Sequence, residues 1–148
     1  MIALDTNILV YAHRRDSPFH ERASAAVRTL AESPAAWAIP WPCEHEFYSV
    51  VTHPRIYDPP STPAQAAAQI EAWLSAPSLV LLHEVPGYWP VVADWLHRAK
   101  VSGPMVHDAR VAALCQVHGV RELWSADRDF GRFTDLVVRN PLVERRPA

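Results

Sequence analysis

The sequence predicts an α/β protein, a parallel sheet covered by helices on both faces, and three observations carry that prediction. Short apolar runs such as Ile2-Ala3-Leu4 and Leu79-Val80-Leu81-Leu82 lack polar alternation. Strands buried on both faces read this way, whereas a sheet with one wet face alternates. Longer segments with helical spacing separate these runs, and strand–helix alternation is the pattern of a parallel sheet. Finally, 148 residues with 49% hydrophobic and 20% charged side chains suit one globular domain over residues 1–148, large enough for its own core.

In chain order, Ile2-Ala3-Leu4 is the first strand and 7–13 the first helix. Ser17-Pro18 offers an N-cap followed by a proline at the first helical position. The helix it opens runs to about residue 31, with Phe19, Ala23, Ala26, Val27 and Leu30 on one face. Trp37-Ala38-Ile39 is the second strand, stopped by Pro40 and Pro42, and a helix over 43–51 follows. After the proline-bounded loop 53–60, Thr62-Pro63-Ala64-Gln65 has the spacing of a capping box and opens a helix to about residue 75. Leu79-Val80-Leu81-Leu82 is the third strand. Helices over 88–101 and 107–118 come next, the second ending at Gly119. Residues 122–125 and 136–139 make the fourth and fifth strands. There are no internal repeats and no low-complexity linkers.

A net charge of −2 excludes a general basic field for nucleic acid, so any such attraction is local. Lys100 is the one lysine among 14 basic residues, a bias that matches the abundance of Ala and Pro and reflects codon usage. Cys43 and Cys115 fall in helices, with no Cys/His spacing for zinc, and read as small core residues in a reducing compartment. The first charge is Asp5, with no basic-then-apolar leader, and no run approaches the roughly 20 apolar residues that span a bilayer. The expected location is the cytoplasm, with no membrane association.

Function in a parallel α/β sheet collects beyond the carboxyl ends of the strands. Asp5 directly follows the first strand and Asp127 the fourth. Each alone reads as a helix cap. Asp108 lies in the first turn of its helix, but shares a stripe with Val111, Ala112 and Cys115. A carboxylate on an apolar stripe is costly unless paired or bound to metal. A fourth acid comes from Glu44-His45-Glu46, and periodicity does not choose: Glu44 aligns with Phe47, Tyr48 and Val51, Glu46 with Cys43 and Val50. Clustered carboxylates with no lysine nearby repel unless a cation joins them. Hard oxygen ligands select Mg²⁺ or Mn²⁺, the ions of in-line phosphoryl chemistry.

Leu4-Asp5-Thr6-Asn7, a Glu in the 43–51 helix, His107-Asp108-Ala109 and Ser125-Ala126-Asp127-Arg128-Asp129-Phe130, in that order over this length, resemble the PIN-domain ribonucleases. More narrowly the chain resembles the VapC toxins of bacterial toxin–antitoxin pairs. Asp16-Ser17-Pro18-Phe19-His20-Glu21-Arg22-Ala23, Pro40-Trp41-Pro42, Glu46-Phe47, Val51-Thr52-His53-Pro54-Arg55-Ile56-Tyr57 and Arg139-Asn140-Pro141 extend the likeness over nearly the whole chain. It implies a divalent-metal-dependent endoribonuclease whose catalytic, metal-binding acids are Asp5, Glu46, Asp108 and Asp127. Glu46 is preferred because the family's glutamate precedes a residue such as Phe47. Asn7, Ser125 and the neighbouring Thr6 are candidates to orient those acids. Asp129 is an extra acid whose expected role is local capping.

The implied fold is a PIN-domain-like three-layer α/β/α sandwich with a five-stranded parallel sheet of order 3-2-1-4-5. That order sets Asp5 and Asp127 on adjacent central strands. The implied partners are RNA as substrate, a VapB-type antitoxin whose tail blocks the groove, and a second copy in a homodimer.

A haloacid-dehalogenase-like phosphatase needs a second Asp where Asn7 stands. A receiver domain needs an Asp after the third strand, where His83-Glu84 stands. A metal-binding interaction module without catalysis keeps the fold and drops the chemistry. Trp37, Trp73, Trp95 and Trp124 read as core, Trp41 and Trp89 as undecided. Of the histidines only His107 is placed near the metal. Arg14, Arg15, Arg55 and Arg128 are candidates for phosphate contact, with solvated surface the default for each.

Overall fold

A computed structural model describes residues 1–143; of the span expected as one domain, 144–148 lie outside the described residues. Its elements are β1 (Ile2–Leu4), α1 (Thr6–His13), α2 (His20–Glu32), β2 (Trp37–Pro40), α3 (Trp41–Val51) and α4 (Pro63–Leu74). They continue with β3 (Leu79–Leu82), α5 (Tyr88–Arg98), α6 (Val106–Val117), β4 (Glu122–Trp124) and β5 (Val137–Arg139). The five strands form one sheet of order β3-β2-β1-β4-β5, all parallel, with Ile2 opposite both Trp37 and Glu122. This is the expected order. β2 is buried along its whole length, while edge strands β3 and β5 are partly exposed, as their apolar density implies.

Helices α1 to α4 pack as one group and α5 with α6 as another. With this strand order, the right-handed rule for parallel crossovers puts the two groups on opposite faces of the sheet. Trp37, Phe47, Ile8, Leu9, Leu114 and Leu123 are fully buried between them. Trp73, Trp95 and Trp124 are buried with Trp37, as expected; Trp89 is exposed, and Trp41 stacks on His45 at 5.9 Å. Both cysteines are free and buried.

Several boundaries differ from the sequence reading by a residue or more, and four of them have a clear local reason. α2 starts at His20, not at Pro18. Ser17 Oγ accepts from Phe19 N–H, and the Ser17 carbonyl accepts from His20 N–H. Ser17-Pro18 therefore makes the turn before the helix, a position that also suits proline's fixed φ. α3 starts at Trp41 with Pro42 inside its first turn, where a missing N–H leaves no bond unmade. α5 stops at Arg98, three residues early, because Lys100 turns left-handed at φ 51°. Its N–H then bonds His97 O, and Val101 N–H bonds Leu96 O, the Schellman pattern. β4 ends at Trp124, which frees Ser125 to turn its side chain toward β1. The capping box at Thr62 and Gln65 is present with both bonds, and Gly119 ends α6 at φ 72°.

Candidate metal centre

Strand order reverses where β1 lies beside β4, and that crevice is where the acids meet. Asp5 leaves β1 with its N–H on Trp124 O at 3.0 Å, so the two strand exits are locked together. It also caps α1. Its carboxylate is buried and nearly saturated with donors. Oδ1 accepts from Thr6 N–H at 2.8 Å and from the Cys43 thiol at 3.7 Å. Oδ2 accepts from Ser125 Oγ at 2.7 Å and Asn7 Nδ2 at 3.4 Å. This many bonds fixes the orientation of one carboxylate.

The polar residues expected to orient the acids do make contact with them. Ser125 Oγ also accepts from Asp127 N–H at 2.9 Å, and Asn7 Oδ1 accepts from Ala126 N–H at 3.2 Å. Together they tie the β4 exit loop to Asp5. Thr6 Oγ1 donates to Glu46 Oε2 at 3.3 Å, linking α1 to α3. Cys43 was not anticipated in this shell; its only sequence signal is its place three residues before Glu46.

Asp5, Glu46, Asp108 and Asp127 line one cleft of about 310 Å³, with Thr6, Asn7 and His107 beside them. Asp108 stands at the mouth of α6 above buried Val111, Ala112 and Cys115, as its stripe implied. Asp127 Oδ1 accepts from Asp129 N–H at 2.9 Å and so caps the short 3-10 turn Arg128–Arg132. This corrects the role expected for Asp129. Asp127 does the capping, and one carboxylate oxygen from each of Asp108, Asp127 and Asp129 lies within 4.8 Å of the others.

Glu44 and Glu46 part company. Glu46 faces the cleft, while Glu44 is fully buried with neither carboxylate oxygen bonded. Burial alone raises Glu44 to about 7, so it is a neutral acid near pH 6.

Desolvation is also the main reason that Asp5 is pushed up to about 6, tempered by the Ser125 and Thr6 bonds and reinforced by Glu46 and Asp127. Asp108 rises to about 6 by desolvation and then by the charges of Asp127, Asp5, Asp129 and Glu46. Every charge acting on these two groups is another carboxylate. Such a cluster resists full ionisation until a cation enters it. The four acids offer oxygen donors, which suit a hard divalent ion.

A larger, shallower groove of about 700 Å³ opens beyond loop 53–60. Among the described residues its one acid, Asp16, is already bound by Arg14 through two hydrogen bonds of 2.9 and 2.6 Å.

A parallel α/β/α sheet with acids gathered at its central strand exits is a PIN-domain arrangement, and the PIN domain family pattern matches residues 2–136. Ribonuclease VapC48 of Mycobacterium tuberculosis is 36% identical over 137 residues, 93% of this chain and 94% of its own. Ribonuclease VapC43 of the same organism is 32% identical, covering 96% of each chain. The chain therefore belongs to the VapC ribonucleases of the PIN-domain family. Solved structures agree on the fold. VapC20 of M. tuberculosis, a Sarcin-Ricin loop cleaving toxin, superposes at TM-score 0.66 with 18% identity over 88% of this chain and 93% of that one. VapBC2 of Rickettsia felis, solved on a promoter DNA fragment, gives 0.66 with 20% identity over 95% and 98%.

Proposed function

We propose that this chain is a divalent-metal-dependent endoribonuclease, the toxin of a VapBC-type pair, with Asp5, Glu46, Asp108 and Asp127 as its metal-binding catalytic acids. The observation that carries the reading is the convergence of four carboxylates from four separate elements on one cleft, two of them raised to about 6. Bound there, Mg²⁺ or Mn²⁺ would supply Lewis acidity and charge neutralisation at an RNA phosphodiester. Asp5 would be the central ligand, held by Thr6 N–H and the Ser125 and Asn7 side chains so that its oxygens do not swing between roles. Asp129, on the cleft's outer edge, would extend the oxygen set. Named ribonucleases at 36% and 32% identity over almost the whole chain support the activity.

The partner follows the same reading. Structures similar in fold include toxin–antitoxin complexes from Rickettsia felis and from nontypeable Haemophilus influenzae. A VapB-type antitoxin that inserts a basic side chain among these carboxylates would match their charge. A homodimer and a cytoplasmic location complete the proposal; among the described residues no helix is long and apolar enough to cross a membrane.

The test is Asp5→Asn. It should lower metal-dependent RNA cleavage by about a hundredfold or more while thermal unfolding stays cooperative. Sequencing RNA ends after induction of the parent and of the variant would identify the substrate in the same experiment. A variant that cuts RNA at the parent's rate would overturn the site.

A further inference from the structure

The cleft has more than an acidic floor. The same cleft is also lined by Tyr11, Tyr57, Ile56, Val50, Val10 and Val111. Ion binding has no use for such a wall. Both tyrosines are held from outside the cleft. Tyr11 packs its ring on Phe19 at 5.2 Å. Tyr57 lies under the Arg14 guanidinium, 4.2 Å from its ring centroid.

Arg14 is itself anchored. It is only 11% exposed, although solvated surface was the expectation for it. Its guanidinium donates to both oxygens of Asp16, to Pro59 O at 3.0 Å and to Ser61 Oγ at 3.3 Å. His13, one residue earlier, meets Ser61 Oγ at 2.9 Å and Gln69 Oε1 at 3.1 Å. The end of α1 thus grips the loop that carries Ile56 and Tyr57, through residues that do not line the cleft.

We propose that the Tyr57 wall, set in place by Arg14, is a base-binding subsite that seats the nucleobase beside the cleaved phosphate. This deepens the ribonuclease reading and rests on it. A phosphate held at the floor carries a ribose and base tethered to it, so the first surface beyond the floor is the one a base meets. Single-stranded RNA is recognised by stacking unpaired bases on aromatic side chains. A ring that is already immobilised loses little freedom when the base arrives. Tyr57 would touch the base; Arg14 is a positioning residue that acts through it.

Steady-state cleavage of an unstructured oligoribonucleotide with Mn²⁺ separates the roles. Tyr57→Leu should raise KM about tenfold or more and leave kcat and the Mn²⁺-induced rise in Tm unchanged. Tyr57→Phe should behave as the parent. Arg14→Gln should move KM in the same direction, by less, again with kcat unchanged. Abasic nucleotides scanned across the cleavage position should cost the parent at one flanking position and cost Tyr57→Leu nothing there. An unchanged KM in Tyr57→Leu, or Phe as damaging as Leu, overturns the subsite. If Tyr57→Leu keeps its KM but escapes inhibition by the cognate antitoxin, the wall serves a peptide and the proposal is wrong. Anisotropy of a labelled oligoribonucleotide distinguishes the two levels of failure. A parent that binds without cutting removes the ribonuclease reading and leaves the subsite to be judged by the Kd of Tyr57→Leu; a parent that does neither removes both.

Discussion

Glu44 and Glu46 stand two positions apart on one helix and meet opposite surroundings. Glu46 reaches Thr6 at the cleft, whereas Glu44 is sealed in the core with both oxygens unbonded. Glu44 titrates at about 7 when folded, against an ordinary value of 4.5. The folded state therefore holds its proton where the unfolded chain has released it. Stability from this group is complete below pH 4.5 and is lost as pH rises to about 7. Glu44→Met, similar in volume and uncharged, should stabilise the protein by about 3 kcal/mol at pH 8 and far less at pH 4.5. Paired thermal melts at the two pH values read this directly, and equal gains at both would mean that Glu44 is not neutral in the core.

At the scale of elements, caps and turn residues decided most boundaries. The box at Thr62 and Gln65 worked as the spacing implied, so Thr62→Ala should cost about 1 kcal/mol. Lys100 did not signal its own role. It occupies the left-handed position after α5, which glycine fills more easily. Lys100→Gly should raise stability by about 0.5–1 kcal/mol, read as a higher denaturant midpoint at unchanged m value. A lower midpoint would show that the lysine side chain holds a compensating contact. Ser17-Pro18 failed as a helix start because a serine hydroxyl serves a turn two residues on as readily as a helix end.

For the whole molecule, a divalent cation in the proposed site would couple stability to cation and proton together. Asp5 and Asp108 titrate at about 6 when folded, against 3.8 ordinarily. In cation-free protein the stability they contribute is full below pH 3.8 and lost as pH rises to about 6. A divalent cation held by the ionised acids only in the folded state, as proposed, would reverse this. Mn²⁺ should therefore raise Tm strongly at pH 8 and hardly at pH 5, and cleavage should rise with pH across the same window. A Tm shift equal at both values would place the ion elsewhere. EDTA should return the protein to its cation-free melting temperature.

The strand–helix alternation, the sheet's buried centre and the positions of Asp5, Asp108 and Asp127 were legible in the sequence, because apolar periodicity and strand ends are local properties of the chain. The likeness to VapC sequences supplied the sheet order and the preference for Glu46. Only the tertiary structure decided that Glu44 is sealed away, that Asp129 stands with the acids instead of capping, that Cys43 meets Asp5, and that Arg14 clamps the loop behind Tyr57. Each of these depends on which side chains distant segments bring within a few ångströms. Spacing along one helix or loop says which face a residue occupies. Whether that face meets a carboxylate, a ring or the apolar core is set by the packing of other elements against it.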